Sequence, residues 1–262
     1  MKVVCLTEET AETLYLLGKG DMVVGVSGYA VRPPEVRLKP RVCAFTTADI
    51  PKILALEPDL VLGFSDLQAD IARELIKAGR NVMVFNQRSV SEILAMVRTV
   101  GALVGAAAEA KALSVRLEGR VAAAARAAAA LPARPKVFFE EWDSPLISGI
   151  RWVEELIEAC GGVPVFPELR AKGLAKDRIV DPAEAARRAP DLVVASWCGK
   201  KANLKAIAGR PGWADVPAVR RGQVREIKST YILQPGPACL TEGLDQLQRH
   251  VRDAAAAMAV AA

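Results

Sequence analysis

AAAEAKALSVRLEGRVAAAARAAAAL, residues Ala106–Leu131, is the stretch that divides the chain. It holds no proline and one glycine, Gly119. Alanine has the highest helix propensity, with Leu, Arg, Glu and Lys close behind. The run therefore predicts one unbroken helix, roughly 39 Å long at about 1.5 Å per residue. Leu113, Leu117 and Val121 recur every four residues, a stripe too narrow to make a core by itself. On both sides the chain alternates strand-like and helix-like runs. The stretch reads as a strut joining two α/β lobes, residues 1–105 and 132–262, with 106–131 as the connecting helix. A surface helix of one larger domain is the alternative.

The chain has 262 residues, enough for one large domain or two of moderate size. Hydrophobic residues make up 52% and charged residues 25%, which suits a packed globular protein rather than a disordered one. Apolar runs fall well short of the ~18 residues that span a bilayer. Met1-Lys2 leads straight into Val3-Val4-Cys5-Leu6 without the apolar core of a secretory leader. A full-length chain of this kind is expected in the cytoplasm; otherwise a leader has been removed. Five widely spaced cysteines (Cys5, Cys43, Cys160, Cys198, Cys239) form no CxxC pair and no metal-finger spacing, so mostly buried thiols are expected.

The first half shows short apolar runs at Val3–Leu6, Met22–Ser27, Val42–Phe45, Leu60–Phe64 and Val82–Phe85, separated by amphipathic helices. Thr7 with Glu8 and Glu9 is a helix start, the hydroxyl as cap and the acids in the first turn. Pro51 is tolerated only in the first turn of its helix. After Pro132 and Pro135 come strands at Lys136–Glu140, Leu192–Ser196 and Val224–Ile227. Helices are expected at Trp152–Ala159, at Asp181-Pro182 onward with Asp181 as cap, and from Cys239 to the end. Arg170–Arg178 reads as a polar, basic loop. Apolar strands alternating with helices predict mainly parallel sheets covered on both faces, and such sheets bind ligands at the carboxyl ends of their strands.

One phrase occurs twice. Ala55-Leu56-Glu57-Pro58-Asp59-Leu60-Val61-Leu62-Gly63-Phe64 parallels Arg187-Arg188-Ala189-Pro190-Asp191-Leu192-Val193-Val194-Ala195-Ser196-Trp197. Each is a helix end, a Pro-Asp turn and a strand with an aromatic at or near its tip. One copy per lobe supports two lobes.

Several phrases, in this order, resemble the periplasmic solute-binding proteins for vitamin B12, haem and iron-siderophores. This is the helical-backbone class of ABC-transporter binding proteins. They are Leu6–Gly18, Val24-Gly25-Val26-Ser27, ILALEPDLVLGF (residues 53–64), Gly79–Phe85, Ser148-Gly149 leading to LIEACGG (156–162), and VDPAEAARRAPDLVVAS (180–196). They span nearly the whole chain, and the cobalamin-binding branch is the most similar. The resemblance implies two Rossmann-like lobes with mainly parallel sheets joined by one long helix, a stiff link that permits little closure. It also implies a non-enzymatic monomer without a cofactor, located in the periplasm. Its ligand would be a corrinoid or another metal chelate, held in the cleft between lobes for ABC-type uptake. The ligand-binding positions it implies are Tyr29, Phe45 and Phe64 in the first lobe. In the second they are Trp142, Trp197, Lys200 and Tyr231. Flat aromatic faces suit a corrin or porphyrin plane, although each ring could equally be core packing.

The family docks on its permease through one surface glutamate per lobe; the matching positions here are Pro51 and Ala183, with Glu184 adjacent. This leaves a cytoplasmic binder or sensor, or a chelatase-like tetrapyrrole enzyme, as alternatives. His250 is the only histidine and falls in the terminal helix, against a Ser-His-Asp triad or a histidine-rich metal site. No GxGxxG or Walker loop is present. Glu140 and Glu141 are strand neighbours, which point to opposite faces and cannot share a proton. From Leu169 to Lys228 there are fourteen Lys and Arg against six Asp and Glu. That basic run is either a solvated face or an attractor of anionic ligands. It lacks the interleaved aromatics of a nucleic-acid platform. Within it, Trp197-Cys198-Gly199-Lys200-Lys201 follows a strand. Cys198 could ligate a soft metal and a lysine could pair with a ligand carboxylate or phosphate.

Overall fold

The computed structural model describes residues 1–260. Two compact units emerge. The first comprises Met1–Gln87, Ser91–Leu117 and Gln234–Pro237, and the second Arg88–Val90, Glu118–Leu233 and Ala238–Ala262, of which the last two residues are not described. The long alanine-rich helix runs from Ala107 to Ala128, two turns of intent shorter than its sequence suggests only at its ends, and the boundary between units falls inside it. Leu113 and Leu117 of its stripe are buried and Val121 is half-buried.

The first unit is built on β1 (Val3–Cys5), β2 (Val23–Ser27), β3 (Arg41–Ala44), β4 (Thr47–Ala48), β5 (Leu60–Phe64) and β6 (Val82–Phe85). Their order is β4-β3-β2-β1-β5-β6, parallel except for the β3–β4 hairpin. Val4, Leu6, Val42 and Val61 from the strands meet Ile53, Ile71 and Leu75 from helices Ile50–Ala55 and Ala69–Lys77. Each such side chain, fully buried, contributes about 1.5–3 kcal/mol. Pro51 sits in the first turn, where Asp49 caps the helix by accepting the Lys52 N–H at 3.0 Å.

The second unit contains β7 (Lys136–Asp143), β8 (Leu146–Ser148), β9 (Val163–Pro164), β10 (Leu192–Ala195) and β11 (Val224–Glu226). Its order is β11-β10-β7-β8, with β9 parallel to the start of β7 and β8 antiparallel to its end. Phe138, Val193 and Ala195 pack with Ile207, Trp213 and Val216. The 163 and 147 segments had not read as strands because two or three residues carry no periodicity.

The repeated phrase is repeated geometry. Glu57 and Ala189 both adopt φ 50°, the left-handed residue that closes a helix. Asp59 then exchanges two bonds with the strand beside it: its N–H donates to the Lys2 carbonyl at 2.9 Å and its carboxylate accepts the Lys2 N–H at 2.6 Å. Asp191 does the same to Lys136, at 2.8 and 3.0 Å. Each Pro-Asp turn thus fixes the register of β5 against β1, and of β10 against β7.

Three local expectations need correction. Thr7 does not cap its helix; its hydroxyl donates to the Glu9 carboxylate at 2.6 Å. The terminal helix begins at Glu242, because Pro237–Leu240 forms a 3₁₀ turn first. Arg170–Arg178 is not simply a solvated loop. It ends in a 3₁₀ turn, Ala175–Arg178, and Arg178 is only 1% exposed.

Candidate functional site

Parallel sheets leave their ligand-facing loops at the carboxyl ends of the strands, and the predicted residues fall at such ends in each unit. In the first unit Tyr29 follows β2, its N–H bound to the Ser27 hydroxyl at 3.1 Å, and its side chain is 48% exposed. Phe45 sits in the turn between β3 and β4 and is half-buried. Phe64 ends β5 and is 8% exposed. The Phe45 and Phe64 rings lie 6.4 Å apart, tilted by 34°, within the range of a favourable aromatic pair.

Residues that were not singled out surround this end. Glu8 and Glu9 open the helix after β1. Burial, with the second acid alongside, pushes the Glu9 carboxyl up to about 8; burial alone pushes Glu8 up to about 7. Glu12 is neutralised by Arg32 at 3.1 Å. The buried Gln68 amide bonds to three carboxyl-end backbones: it accepts the Phe64 N–H and donates to the carbonyls of Phe45 and Leu6. A glutamine at the start of an amphipathic helix carries no local signal for such a role.

In the second unit Trp142, half-buried, stands near the end of β7, and its indole N–H donates to the Ser144 carbonyl at 3.0 Å. Lys200, in the loop after β10, places its ammonium 4.2 Å from the Trp142 ring centre and 4.6 Å from that of Trp197. The same ammonium bridges to Asp143 at 2.9 and 3.1 Å. A cation between two indole faces is attracted by both. Trp197 itself is a core residue, 5% exposed, and its indole N–H donates to Glu140 at 3.0 Å. Tyr231 lies on the short helix Ser229–Ile232, half-buried, and Trp152 secures that helix by donating to the Ile232 carbonyl at 2.9 Å. Gly243 lets the turn approach, since a Cβ there would stand 2.3 Å from the Tyr231 carbonyl oxygen.

Beneath these rings lies a charged layer. Arg210 forks onto the buried Glu140 with bonds of 2.6 and 2.7 Å, and burial pulls that carboxyl up while the fork opposes it. Glu141, facing the other way, takes both terminal nitrogens of Arg178 at 2.7 and 3.1 Å. Arg178 also donates to the Ser148 carbonyl. Arg188 pairs with Glu184 and Glu168, and Arg221 with Asp191. Much of the basic run is therefore neutralised within the unit. At the docking positions Pro51 and Ala183 are exposed, and the neighbouring Glu184 is held by Arg187 and Arg188. Cys198 is exposed on the Lys200 loop, and no group of three metal-ligating side chains occurs among the described residues. His250 is half-buried on the last helix, where burial lowers its proton affinity. No described helix is long and apolar enough to cross a membrane.

The sequence profile of the family described as "Periplasmic binding protein" matches residues 3–231. An uncharacterised ABC-transporter substrate-binding lipoprotein of Bacillus subtilis is 27% identical over 264 residues, covering 95% of this chain and 79% of that protein. A cobalamin-binding protein of Halobacterium salinarum is 27% identical over 247 residues, or 90% of this chain, which spans 65% of that protein's length. Among solved structures, the apo periplasmic heme-binding protein RhuT from Roseiflexus sp. RS-1 superimposes with a TM-score of 0.83 at 24% identity. That match covers 97% of this chain and 98% of RhuT. It establishes the same fold.

Proposed function

The chain belongs to the periplasmic binding protein family, and from that premise we propose that it captures a corrinoid or another metal chelate, such as haem or a ferric siderophore. It is a solute-binding protein and not an enzyme, as its family is. It hands its ligand to an ABC-transporter permease and works in the periplasm or tethered as a lipoprotein. The named ligands of its relatives, cobalamin and haem, support the ligand class. The observation that carries it in this chain is the carboxyl end of the second sheet, where Trp142 and Lys200 share one loop surface. Trp142 offers a flat apolar face, and Lys200 offers a cation that can leave Asp143 for an anionic group of the ligand. Tyr29, Phe45 and Phe64 of the first unit, and Trp197 and Tyr231 of the second, complete the proposed set.

Tryptophan fluorescence titrated with cyanocobalamin, haemin and a ferric siderophore tests the reading. At least one should quench emission saturably at micromolar concentration and raise the thermal midpoint, since a ligand that binds only the native state stabilises it. Trp142→Ala should weaken that ligand's binding. Three ligands that neither quench saturably nor stabilise would refute the proposal.

A further inference from the structure

We propose that Gln68 is a positioning residue for ligand capture, a side chain that sets the Phe45–Phe64 ring pair in place before the ligand arrives. This rests on the reading that the carboxyl-end rings of the first sheet face the ligand.

Gln68 is fully buried, yet its amide is satisfied on both sides. Its carbonyl oxygen accepts the Phe64 N–H at 3.0 Å. Its NH₂ donates to the Phe45 carbonyl at 2.9 Å and, more weakly, to the Leu6 carbonyl at 3.4 Å. These backbones end β5, turn β3 into β4 and continue β1. One side chain therefore ties together three chain segments that no local hydrogen-bond ladder joins at that level. Phe45 and Phe64 are the two residues whose own backbones it holds, and their rings are paired.

Two further features build the site around the amide. Gly63 leaves room for it, since a Cβ there would lie 2.8 Å from the Gln68 oxygen. Ser65, between Phe64 and Gln68, adopts φ 76° and ψ 151°, a conformation that non-glycine residues rarely hold and that persists only where the surroundings impose it. The chain thus turns sharply after Phe64, and that turn returns Gln68 over the end of its own strand. Ligand affinity depends on such preorganisation, because a binding-competent arrangement populated only part of the time lowers apparent affinity by that fraction.

Gln68→Leu keeps the volume and removes both bonds. Gln68→Glu is the sharper variant. When neutral, its carboxyl reproduces the pattern, with the C=O accepting from Phe64 and the O–H donating to Phe45. When ionised, it sets a negative charge against two carbonyl oxygens and can donate to neither. Two readouts apply. The first needs no ligand: the nuclear Overhauser contact between the Phe45 and Phe64 rings in protein labelled at phenylalanine. The second is affinity for whichever of cyanocobalamin, haemin or ferric siderophore the unaltered chain takes.

Gln68→Leu should lose the ring contact, and if the paired arrangement falls to about a tenth of the population, binding weakens about tenfold. Gln68→Glu should keep contact and affinity at pH 5 and lose both at pH 9. The unaltered chain, measured alongside, cancels the titration of Glu8 and Glu9. A ring contact that survives in Gln68→Leu, or a Gln68→Glu variant indifferent to pH, overturns the inference. If the unaltered chain takes none of the three ligands, the proposed function fails while the ring contact still decides the role of Gln68.

Discussion

Glu9→Gln should make the protein more stable in mildly alkaline solution, although it removes a charge from the first turn of a helix. Glu9 is 1% exposed, and the Gln234–Pro237 segment covers it so closely that a Cβ on Gly236 would stand 2.4 Å from its own Cβ. Burial is the main reason its carboxyl holds a proton up to about pH 8, with Glu8 second and Glu12 a smaller contribution; the Thr7 hydroxyl pulls the other way. A carboxyl raised from 4.5 to about 8 costs the folded state on the order of 3–5 kcal/mol once ionised, at about 1.4 kcal/mol per tenfold in proton affinity. The folded state binds the extra proton between those two values, so stability falls as pH rises through that window and is flat below pH 4.5. Glutamine stays neutral throughout, and its carbonyl can still accept from Thr7. Urea unfolding of both proteins at pH 5 and pH 8.5 measures the effect. Glu154, which burial raises to about 7, adds a slope of the same sign, and His250, lowered by burial, one of opposite sign. Both cancel in the comparison. The two proteins should be alike at pH 5, and the variant should be more stable by about 2 kcal/mol or more at pH 8.5. Equal losses in both between the two pH values would refute the burial argument.

The Pro-Asp clamps give a paired test. Asp191→Ala should cost about 1–3 kcal/mol by leaving the Lys136 N–H without its acceptor, and Asp59→Ala less, because Asp59 is solvent-exposed; chemical denaturation of each variant reads the difference. Gly101→Ala would press a Cβ to 2.2 Å from the Ala110 Cβ, so about 1–3 kcal/mol should be lost in the same assay. Lys200→Met leaves the apolar stem on Trp142 and removes the ammonium; binding of haemin, with its carboxylates, should weaken several-fold while cyanocobalamin, with neutral amides, changes little in the same fluorescence titration.

What could be read from residues alone follows the range of the forces involved. The long helix, the apolar strands and the Pro-Asp turns are written locally, by propensity, periodicity and proline, and the Asp181 cap, which accepts the Ala183 N–H at 2.7 Å, is of the same kind. The β7–β8 hairpin was hidden because Leu146–Ser148 is three residues long and is held by its partner strand, not by its own pattern. Arg178 looked like part of a solvated basic run. Its burial depends on Glu141, thirty-seven residues upstream, a pairing that no window of sequence contains. Gln68 was missed for the same reason, with acceptors at Phe45 and Leu6. Trp197 illustrates the converse. Its place after a strand suggested a ligand-facing ring, but the indole N–H bonds to Glu140 and the ring packs in the core.

The repeat and the tips therefore carry different information. The repeated phrase builds two frames by the same backbone device, an aspartate clamping the strand next door, and nothing in that device can recognise a ligand. Ligand chemistry has to come from residues that break the repeat. After β1 the first unit goes directly into an acidic helix, Glu8–Leu16, whose first two carboxyls are raised by burial. After the matching part of β7, the second unit inserts a hairpin that brings Trp142 and Asp143 to the Lys200 ammonium. One tip is phenyl and carboxyl, the other indole and ammonium. A ligand with an apolar plane and unlike polar groups along its edge matches that inequality, whereas a small symmetric ion would use little of it.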